Sequence, residues 1–144
     1  MQEMVDVTMI EVTRTITFNT PARLVWQVMT DTSDWSWRTG LDRIETDTDG
    51  QVFYEYDKHG GMLHFAIVEA TPYARYALLM DNDNMHGTFT GTFTESGGQT
   101  TLVLTERVFP KKWWQKPFAR RYLKRHQDAY VHDLQTRVAA VSER

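Results

Sequence analysis

The sequence has no cysteine, few prolines and no long apolar run. Without cysteine, the chain has no disulfide bond, no thiolate nucleophile and no cysteine-ligated zinc. Apolar runs such as residues 65–68 are far shorter than the about 20 residues that span a bilayer. The first residues lack the basic and apolar parts of a secretory signal. We therefore expect one soluble, cytoplasmic domain over residues 1–144, with 41% hydrophobic residues available for its core.

Positive charge is scarce outside one segment. The chain has 16 basic and 19 acidic residues, and its net charge of −3 argues against nucleic acid as the main partner. Residues 111–125, however, contain seven basic residues and no acidic residue. Aromatic residues are interspersed with these cations, so we call residues 111–125 the basic–aromatic segment. Such a segment is typical of a solvated helix face, which we favour, or of a transient contact with an anionic membrane surface.

Alternating apolar and polar residues predict seven strands. They are placed at residues 9–19, 42–47, 51–58, 62–70, 74–81, 85–95 and 100–108. Thr20-Pro21 is a helix-start signal and predicts a short helix that ends near Thr30. Residues 31–40 follow as a second short helix or an ordered loop. Helical spacing of apolar residues from Lys112 onward predicts one long C-terminal helix, and the whole pattern is α+β.

Turn lengths predict which residues share a face of the sheet. A two-residue turn at residues 59–60 would pair Tyr54 with Phe65 and Tyr56 with Leu63, which places all four on one apolar surface. A two-residue turn at residues 97–98 would leave a row of threonines on the opposite surface. The sequence therefore predicts an antiparallel sheet with an apolar inner face and a threonine-rich outer face.

The order of these elements resembles the helix-grip fold of the START-like superfamily, which includes polyketide cyclase and dehydrase-like proteins. The matching motifs are ITFNTPA at residues 16–22, Val25-Trp26, Thr30-Asp31, VEATP at residues 68–72 and GQTT at residues 98–101. The resemblance implies a seven-stranded curved antiparallel sheet wrapped around a long C-terminal helix, with two short helices after the first strand. It also implies an apolar cavity for lipids, polyketides, hormones or other hydrophobic ligands.

The predicted ligand-binding residues are aromatic or polar side chains expected near this cavity. They are Trp35, Trp37, Tyr54, Tyr56, Phe65, Tyr76, Phe89, Arg14, Glu106, Phe118, Tyr122 and His126. Buried tyrosine and tryptophan need hydrogen-bond partners, so this composition favours a pocket over a dry aliphatic core. Glu106 and His126 are the catalytic candidates, because each can transfer a proton if it lies inside the cavity.

Arg14 and Glu106 are charged residues at positions where strand alternation places apolar ones. The resemblance implies that the first and last strands are antiparallel neighbours. An isolated buried charge is costly, so we predict that these two side chains pair with each other. Alternatively, they border the cavity and hold a polar group of the ligand.

Metal sites have weak support in the sequence. The acidic residues at 81–87 resemble a calcium loop, but His86 stands where the loop needs glycine and Thr92 stands where it needs glutamate. We predict a hairpin turn there instead. His126 and His132 are six residues apart, which is not the spacing of a helical zinc site. We expect no metal and no tightly bound cofactor.

Three functions fit these expectations. The first is binding, transport or sequestration of a hydrophobic small molecule, and we favour it. The second is a cyclase, dehydratase or hydrolase that uses polar residues of the cavity such as Glu106. The third is a protein-interaction module similar to the chaperone-activating members of the superfamily. The sequence leaves the oligomeric state open.

Overall fold

All seven predicted strands form, and they belong to one antiparallel sheet in the computed structural model, which describes residues 9–143. The strands are β1 (Ile10–Phe18), β2 (Leu41–Thr46), β3 (Val52–Asp57), β4 (Met62–Thr71), β5 (Arg75–Asp81), β6 (Met85–Ser96) and β7 (Gln99–Pro110). The helices are α1 (Ala22–Thr30) and α2 (Lys116–Ser142), with a 3-10 turn at Trp113–Gln115. The strand order β1-β7-β6-β5-β4-β3-β2 places the first strand beside the last. This architecture confirms the predicted helix-grip fold.

The second short helix predicted after β1 is absent from the described residues. Residues 31–40 form a series of turns instead. Asp31 Oδ1 accepts a hydrogen bond from the backbone N–H of Ser33 at 3.0 Å. Short polar side chains that bind nearby backbone groups in this way compete with helix formation. The segment is therefore an ordered loop, which was the other interpretation of its sequence.

The register of the β6–β7 hairpin is the predicted one. Phe89 lies opposite Glu106 and Phe93 lies opposite Leu102. Gly97 and Gly98 both have positive φ, at 60° and 78°, as a two-residue hairpin turn requires. Six threonines consequently share the outer face: Thr88, Thr90, Thr92, Thr94, Thr101 and Thr105.

The predicted register of the β3–β4 hairpin is wrong by one residue. Phe53, and not Tyr54, lies opposite Phe65, because the loop has three residues, 58–60, and not two. Asp57 Oδ1 accepts hydrogen bonds from the N–H groups of His59 and Gly61, both at 2.8 Å, and Gly60 has a φ of 87°. A three-residue turn with a left-handed glycine is a common alternative to the two-residue turn. The slip moves every β3 side chain to the opposite face.

The predicted pair of Arg14 and Glu106 is not formed. Arg14 lies opposite Leu104, and Val12 lies opposite Glu106. Strand alternation correctly predicts that Arg14 and Glu106 lie on the same face of the sheet. It does not determine how far β1 is shifted along β7, because any shift by two residues keeps both side chains on that face. The offset is fixed at the far end of β1, where Thr100 Oγ1 donates to the carbonyl oxygen of Thr20 at 2.6 Å.

The core lies between the inner face of the sheet and the two helices. α1 contributes Val25, Trp26 and Met29, while α2 contributes an apolar stripe that includes Leu134 and Val138. Burial of each such aliphatic side chain contributes about 1.5–3 kcal/mol to folding. α2 lies closest to α1 and β1, so the inner face of the more distant strands is covered less closely.

Candidate functional site

An arginine–glutamate pair lies on the inner face of the sheet. Glu55 is on β3 and faces inward with Phe53, and Arg38 reaches it from the loop at residues 31–40. Arg38 Nη1 and Nη2 donate to the two Glu55 oxygens at 3.1 and 3.2 Å, which is a bidentate geometry. Only 20% of the Arg38 side chain and 15% of the Glu55 side chain are exposed. The pair is thus a charged group set into a largely apolar surface.

Contacts with α2 hold the loop that carries Arg38. The buried carboxylate of Asp133 accepts hydrogen bonds from the backbone N–H and the hydroxyl of Thr39 at 2.9 and 3.0 Å. Arg137 Nη2 donates to Asp34 Oδ2 at 2.7 Å. These bonds attach both sides of Arg38 to the long helix. The position of the guanidinium is therefore fixed by helix and sheet together.

Aromatic rings surround the guanidinium of Arg38. Its central carbon lies 4.8 Å from the ring centre of Tyr130 and 5.7 Å from that of Trp37. Phe89 meets the Tyr130 ring edge-on at 5.8 Å. Burial acts to lower the pKa of Arg38, but the charge and hydrogen bonds of Glu55 outweigh it and raise that pKa. Arg38 therefore remains a permanent cation stacked on rings.

Glu106 lies deeper on the same inner face, on β7. Burial raises its pKa to about 7, although a hydrogen bond from Gln127 and the charge of Arg38 act in the opposite direction. Gln127 Nε2 donates to Glu106 Oε1 at 3.2 Å. A carboxyl group with a pKa near 7 exists in both protonation states at neutral pH. It can donate or accept a proton there.

Gln127 joins Glu106 to the sheet. Its Nε2 also donates to the carbonyl oxygen of Val12 at 3.3 Å, and the residue is 1% exposed. Its Oε1 has no hydrogen-bond partner among residues 9–143. We call Arg38, Glu55, Glu106, Gln127 and Tyr130 the inner polar cluster.

The N-terminal half of α2 and the β3–β4 turn form the edge of this region. The rings of Tyr122 and His126 lie 4.7 Å apart on α2. Burial and the positive charge of Arg38 lower the pKa of His126, whereas the charge of Asp57 acts to raise it. Asp57 is the last residue of β3, beside the β3–β4 turn, and its charge reaches His126 of α2.

Several inward-facing side chains around the inner polar cluster remain partly accessible. They are Trp37, Ile44, Leu63, Ile67, Phe89 and Tyr130. Inward-facing residues near β1, such as Ile16 and Leu104, are buried by contrast. The inner face is therefore closed near β1 and partly open near β2, β3 and β4.

The structure places the predicted site residues in different parts of the fold. Trp37, Phe89 and Glu106 belong to the inner region, and His126 and Tyr122 lie at its edge. Phe65 and Tyr76 are buried in the core, where they contact Phe53 and Trp26 at ring distances of 4.9 and 5.6 Å. Trp35 is half-buried in the loop at residues 31–40, and Phe118 is exposed on α2.

Three predicted site residues are not where the sequence placed them. Tyr54 and Tyr56 lie on the outer face, because the β3–β4 register is shifted by one residue. Tyr54 contacts the ring of His64 there, and Arg43 lies 3.9 Å above the ring of Tyr56. Arg14 binds Asp128 of α2 and makes no contact with Glu106.

Four residues of the inner polar cluster were not predicted as site residues. Arg38 and Glu55 were missed because the two-residue turn assigned Glu55 to the outer face. The sequence is also compatible with the observed turn, because Asp57 and the glycines at 60 and 61 fit a three-residue loop. Gln127 and Tyr130 fall on the apolar stripe of α2, where a polar residue marks an inward-facing hydrogen bond.

Two open grooves lie elsewhere on the surface. One, of about 300 Å³, is formed by α1, the loop at residues 31–40 and the end of α2, and includes Asp34 and Arg137. The other, of about 320 Å³, lies on the outer face of the sheet beside His64, Leu79 and His86. Among residues 9–143, no three histidine, aspartate or glutamate side chains are grouped closely enough to hold a metal ion. Within the same residues, neither α1 nor α2 combines the length and apolar character that crossing a membrane requires.

Similar folds occur in several solved structures. A START superfamily protein from Mycobacterium smegmatis has a TM-score of 0.79 and 13% identity, over 91% of this chain and 98% of that one. The Zhui aromatase/cyclase from Streptomyces sp. R1128 has a TM-score of 0.77 and 17% identity, over 91% and 94% of the two chains. A conserved protein from Geobacillus kaustophilus has a TM-score of 0.77 and 14% identity, over 91% and 96%. At these identities the likeness shows the fold alone.

Sequence comparison gives the family. No curated protein matches the sequence significantly. Residues 9–139, however, match the family described as polyketide cyclase / dehydrase and lipid transport. This match covers all seven strands, α1 and α2 as far as residue 139. The chain therefore belongs to the polyketide cyclase / dehydrase and lipid transport family.

Proposed function

We propose that the protein binds a small hydrophobic molecule against the inner face of its sheet, with a polar group of that molecule held by the inner polar cluster. The observation that carries this proposal is the pair of Arg38 and Glu55, set among aromatic side chains that remain partly accessible. A purely structural core gains little from such a pair, because hydrophobic residues of similar volume are often as stable or more stable. A ligand with an apolar body and a polar end uses both kinds of surface.

The ligand enters, in this proposal, between α2 and the β3–β4 turn. His126 and Tyr122 on α2 would line one side of this passage, and Asp57 at the end of β3, whose charge acts on both, would line the other. The adjoining inner face carries Leu63 and Ile67, which are half-buried and apolar. The ligand's rings or acyl chain would pack there, with its polar end toward Arg38.

A blocking substitution tests this location. Leu63→Trp places a large ring on the inner face of β4, so we expect it to weaken binding of the fluorescent probe 1-anilinonaphthalene-8-sulfonate by about tenfold, or about 1.4 kcal/mol. Leu79→Trp makes the same change on the outer face of β5, where the side chain is 48% exposed, and should leave binding unchanged. Fluorescence titration of both variants gives the comparison.

The matched pair also separates the inner face from the outer groove. If Leu79→Trp alone abolishes probe binding, the outer groove beside His64 is the site and the proposal fails. Equal affinity in both variants and the parent protein would likewise reject the inner face. Native mass spectrometry of protein purified from its own host would then identify any molecule that it carries.

Acid–base catalysis is a second candidate function, and one observation favours it. Glu106 has a pKa of about 7 and lies in the same inner region as a permanent cation and the buried hydroxyl of Tyr130. A general acid or base is most effective when its pKa is close to the working pH. A related fold is that of the Zhui aromatase/cyclase.

A linear poly-β-ketone is a suitable probe of this second function. If Glu106 moves the proton, the parent protein should accelerate cyclisation or dehydration of the probe and Glu106→Gln should lose that acceleration. Glu69→Gln, on an exposed outer position, should keep it. Product analysis by liquid chromatography and mass spectrometry provides the measurement. Identical product yields with the parent protein, with Glu106→Gln and without protein would exclude this reaction.

A further inference from the structure

Exposed aromatic side chains are concentrated at the start of α2. Trp113 is 79% exposed, Phe118 is 69% exposed, and Trp114 and Tyr122 are also more than half exposed. Single exposed apolar residues are common on protein surfaces, but a close group of large rings indicates an interaction surface. All four belong to the basic–aromatic segment.

The cations of this segment add a consistent charge. Lys111 binds Asp81 at 2.8 Å, and Arg120 donates to the carbonyl oxygen of Glu11 at 3.2 Å. Arg121, Lys124 and Arg125 form no ion pair with any carboxylate among residues 9–143. Since residues 111–125 contain no acid, the surface stays strongly positive on a protein whose net charge is −3.

Rings and cations share one side of the helix. Phe118, Tyr122 and Arg125 follow each other at spacings of four and three residues, so they are neighbours on one face of α2. Leu123 and Gln127 are buried on the opposite face. The exposed face ends beside His126, at the edge of the inner region.

We propose that this face of the basic–aromatic segment docks on an anionic lipid bilayer. Basic residues are attracted to the negative surface potential of such a bilayer, and exposed tryptophans are stable at the depth of the headgroups. An acidic protein would also attract the cations, but its binding gives no particular role to the two exposed tryptophans, Trp113 and Trp114. Docking through this face would turn the passage beside His126 toward the lipid, so that a hydrophobic molecule could be exchanged without crossing water.

Vesicle flotation of the full chain tests the proposal. The protein should bind vesicles of phosphatidylcholine mixed with phosphatidylserine, bind pure phosphatidylcholine far less, and lose binding as salt is raised. Arg121→Gln/Arg125→Gln should weaken binding roughly tenfold to thirtyfold, at roughly fivefold for each cation removed. Arg23→Gln/Arg75→Gln removes the same charge from exposed positions on α1 and at the start of β5 and should bind like the parent protein.

The aromatic contribution has its own variant and readout. Trp113→Ala/Phe118→Ala should lose vesicle binding while its thermal unfolding stays unchanged, because both side chains are exposed. Brominated phosphatidylcholine in the mixed vesicles should quench part of the tryptophan fluorescence of the parent protein. The same vesicles should quench the fluorescence of the variant less, because the variant lacks Trp113.

Four results would overturn the proposal. They are equal binding to both kinds of vesicle, equal loss of binding in the Arg23→Gln/Arg75→Gln control, tighter binding to soluble polyglutamate than to the vesicles, and a self-associated protein that becomes monomeric in Trp113→Ala/Phe118→Ala. The third would identify an acidic polypeptide as the partner, and the fourth a second copy of this chain. None of them bears on probe binding at the inner face, so the two proposals are tested separately.

Discussion

Replacing Arg38 with methionine is expected to lower the free energy of unfolding by about 3 kcal/mol. The substitution leaves the carboxylate of Glu55, only 15% exposed, without its bidentate partner on an apolar surface. An unpaired buried charge costs several kcal/mol, whereas the aromatic contacts of the arginine stem are partly kept by methionine. Urea unfolding of the parent protein and the variant measures the difference.

Arg43 provides a matched control for this change. It also forms ion pairs, with Asp42 and Glu45, but its side chain is 48% exposed. Arg43→Met should therefore cost less than about 1 kcal/mol. The double variant Arg38→Met/Glu55→Leu should recover most of the stability lost in the single variant, because both charges are then absent. If Arg38→Met unfolds no more easily than Arg43→Met, the inner pair is effectively solvated and our account of the site is wrong.

Glu106→Gln is expected to stabilise the protein at pH 8 and to leave its stability almost unchanged at pH 4. The folded-state pKa of Glu106, about 7, lies above its value of 4.5 without the fold, because burial penalises the carboxylate. The stabilising effect of the protonated form is complete below about pH 4.5 and is lost as the pH rises through 7. The difference in pKa corresponds to about 3 kcal/mol, so this is the largest gain expected in the variant above pH 8.

Unfolding curves from pH 4 to pH 8 check this expectation. The parent protein should lose stability relative to Glu106→Gln across that range, and the two should converge at the acidic end. Glu69→Gln, whose side chain is exposed, should follow the parent protein within about 0.5 kcal/mol. Parallel curves for the parent protein and Glu106→Gln would show that the pKa of Glu106 is the same in the folded and unfolded states, and would reject the raised pKa. A pairing of Glu106 with Arg14, as the sequence suggested, would have given a loss of stability instead.

The architecture was predictable because local patterns and turn chemistry agree. Alternating residues located every strand, and the two glycines at 97 and 98 gave the correct β6–β7 register. The same reasoning failed at β3–β4, because residues 57–61 fit turns of two lengths and only the folded hairpin distinguishes them. A difference of one residue there decided whether Glu55 faced water or Arg38.

The candidate site was less predictable, since it is assembled from side chains that are distant in sequence. Glu106 and His126 were identified because a charged or polar residue interrupts an apolar pattern. Arg38 comes from a loop whose path depends on Asp133 and Arg137 of α2, almost 100 residues away. No local pattern gives such a path. Tertiary contacts alone place the guanidinium over the ring of Tyr130.

The pairing of β1 with β7 has a consequence for how the chain folds. Each strand from β2 to β6 has a neighbour in the sheet that follows or precedes it directly in the sequence, so hairpins can form early and locally. β1 has no such neighbour, and within residues 9–143 its partner in the sheet is the last strand, β7. Thr13 and Thr105, which meet across that pair, are 92 positions apart. During synthesis both edges of β1 therefore stay unpaired until β7 has left the ribosome, and up to that point β1 can pair with another chain.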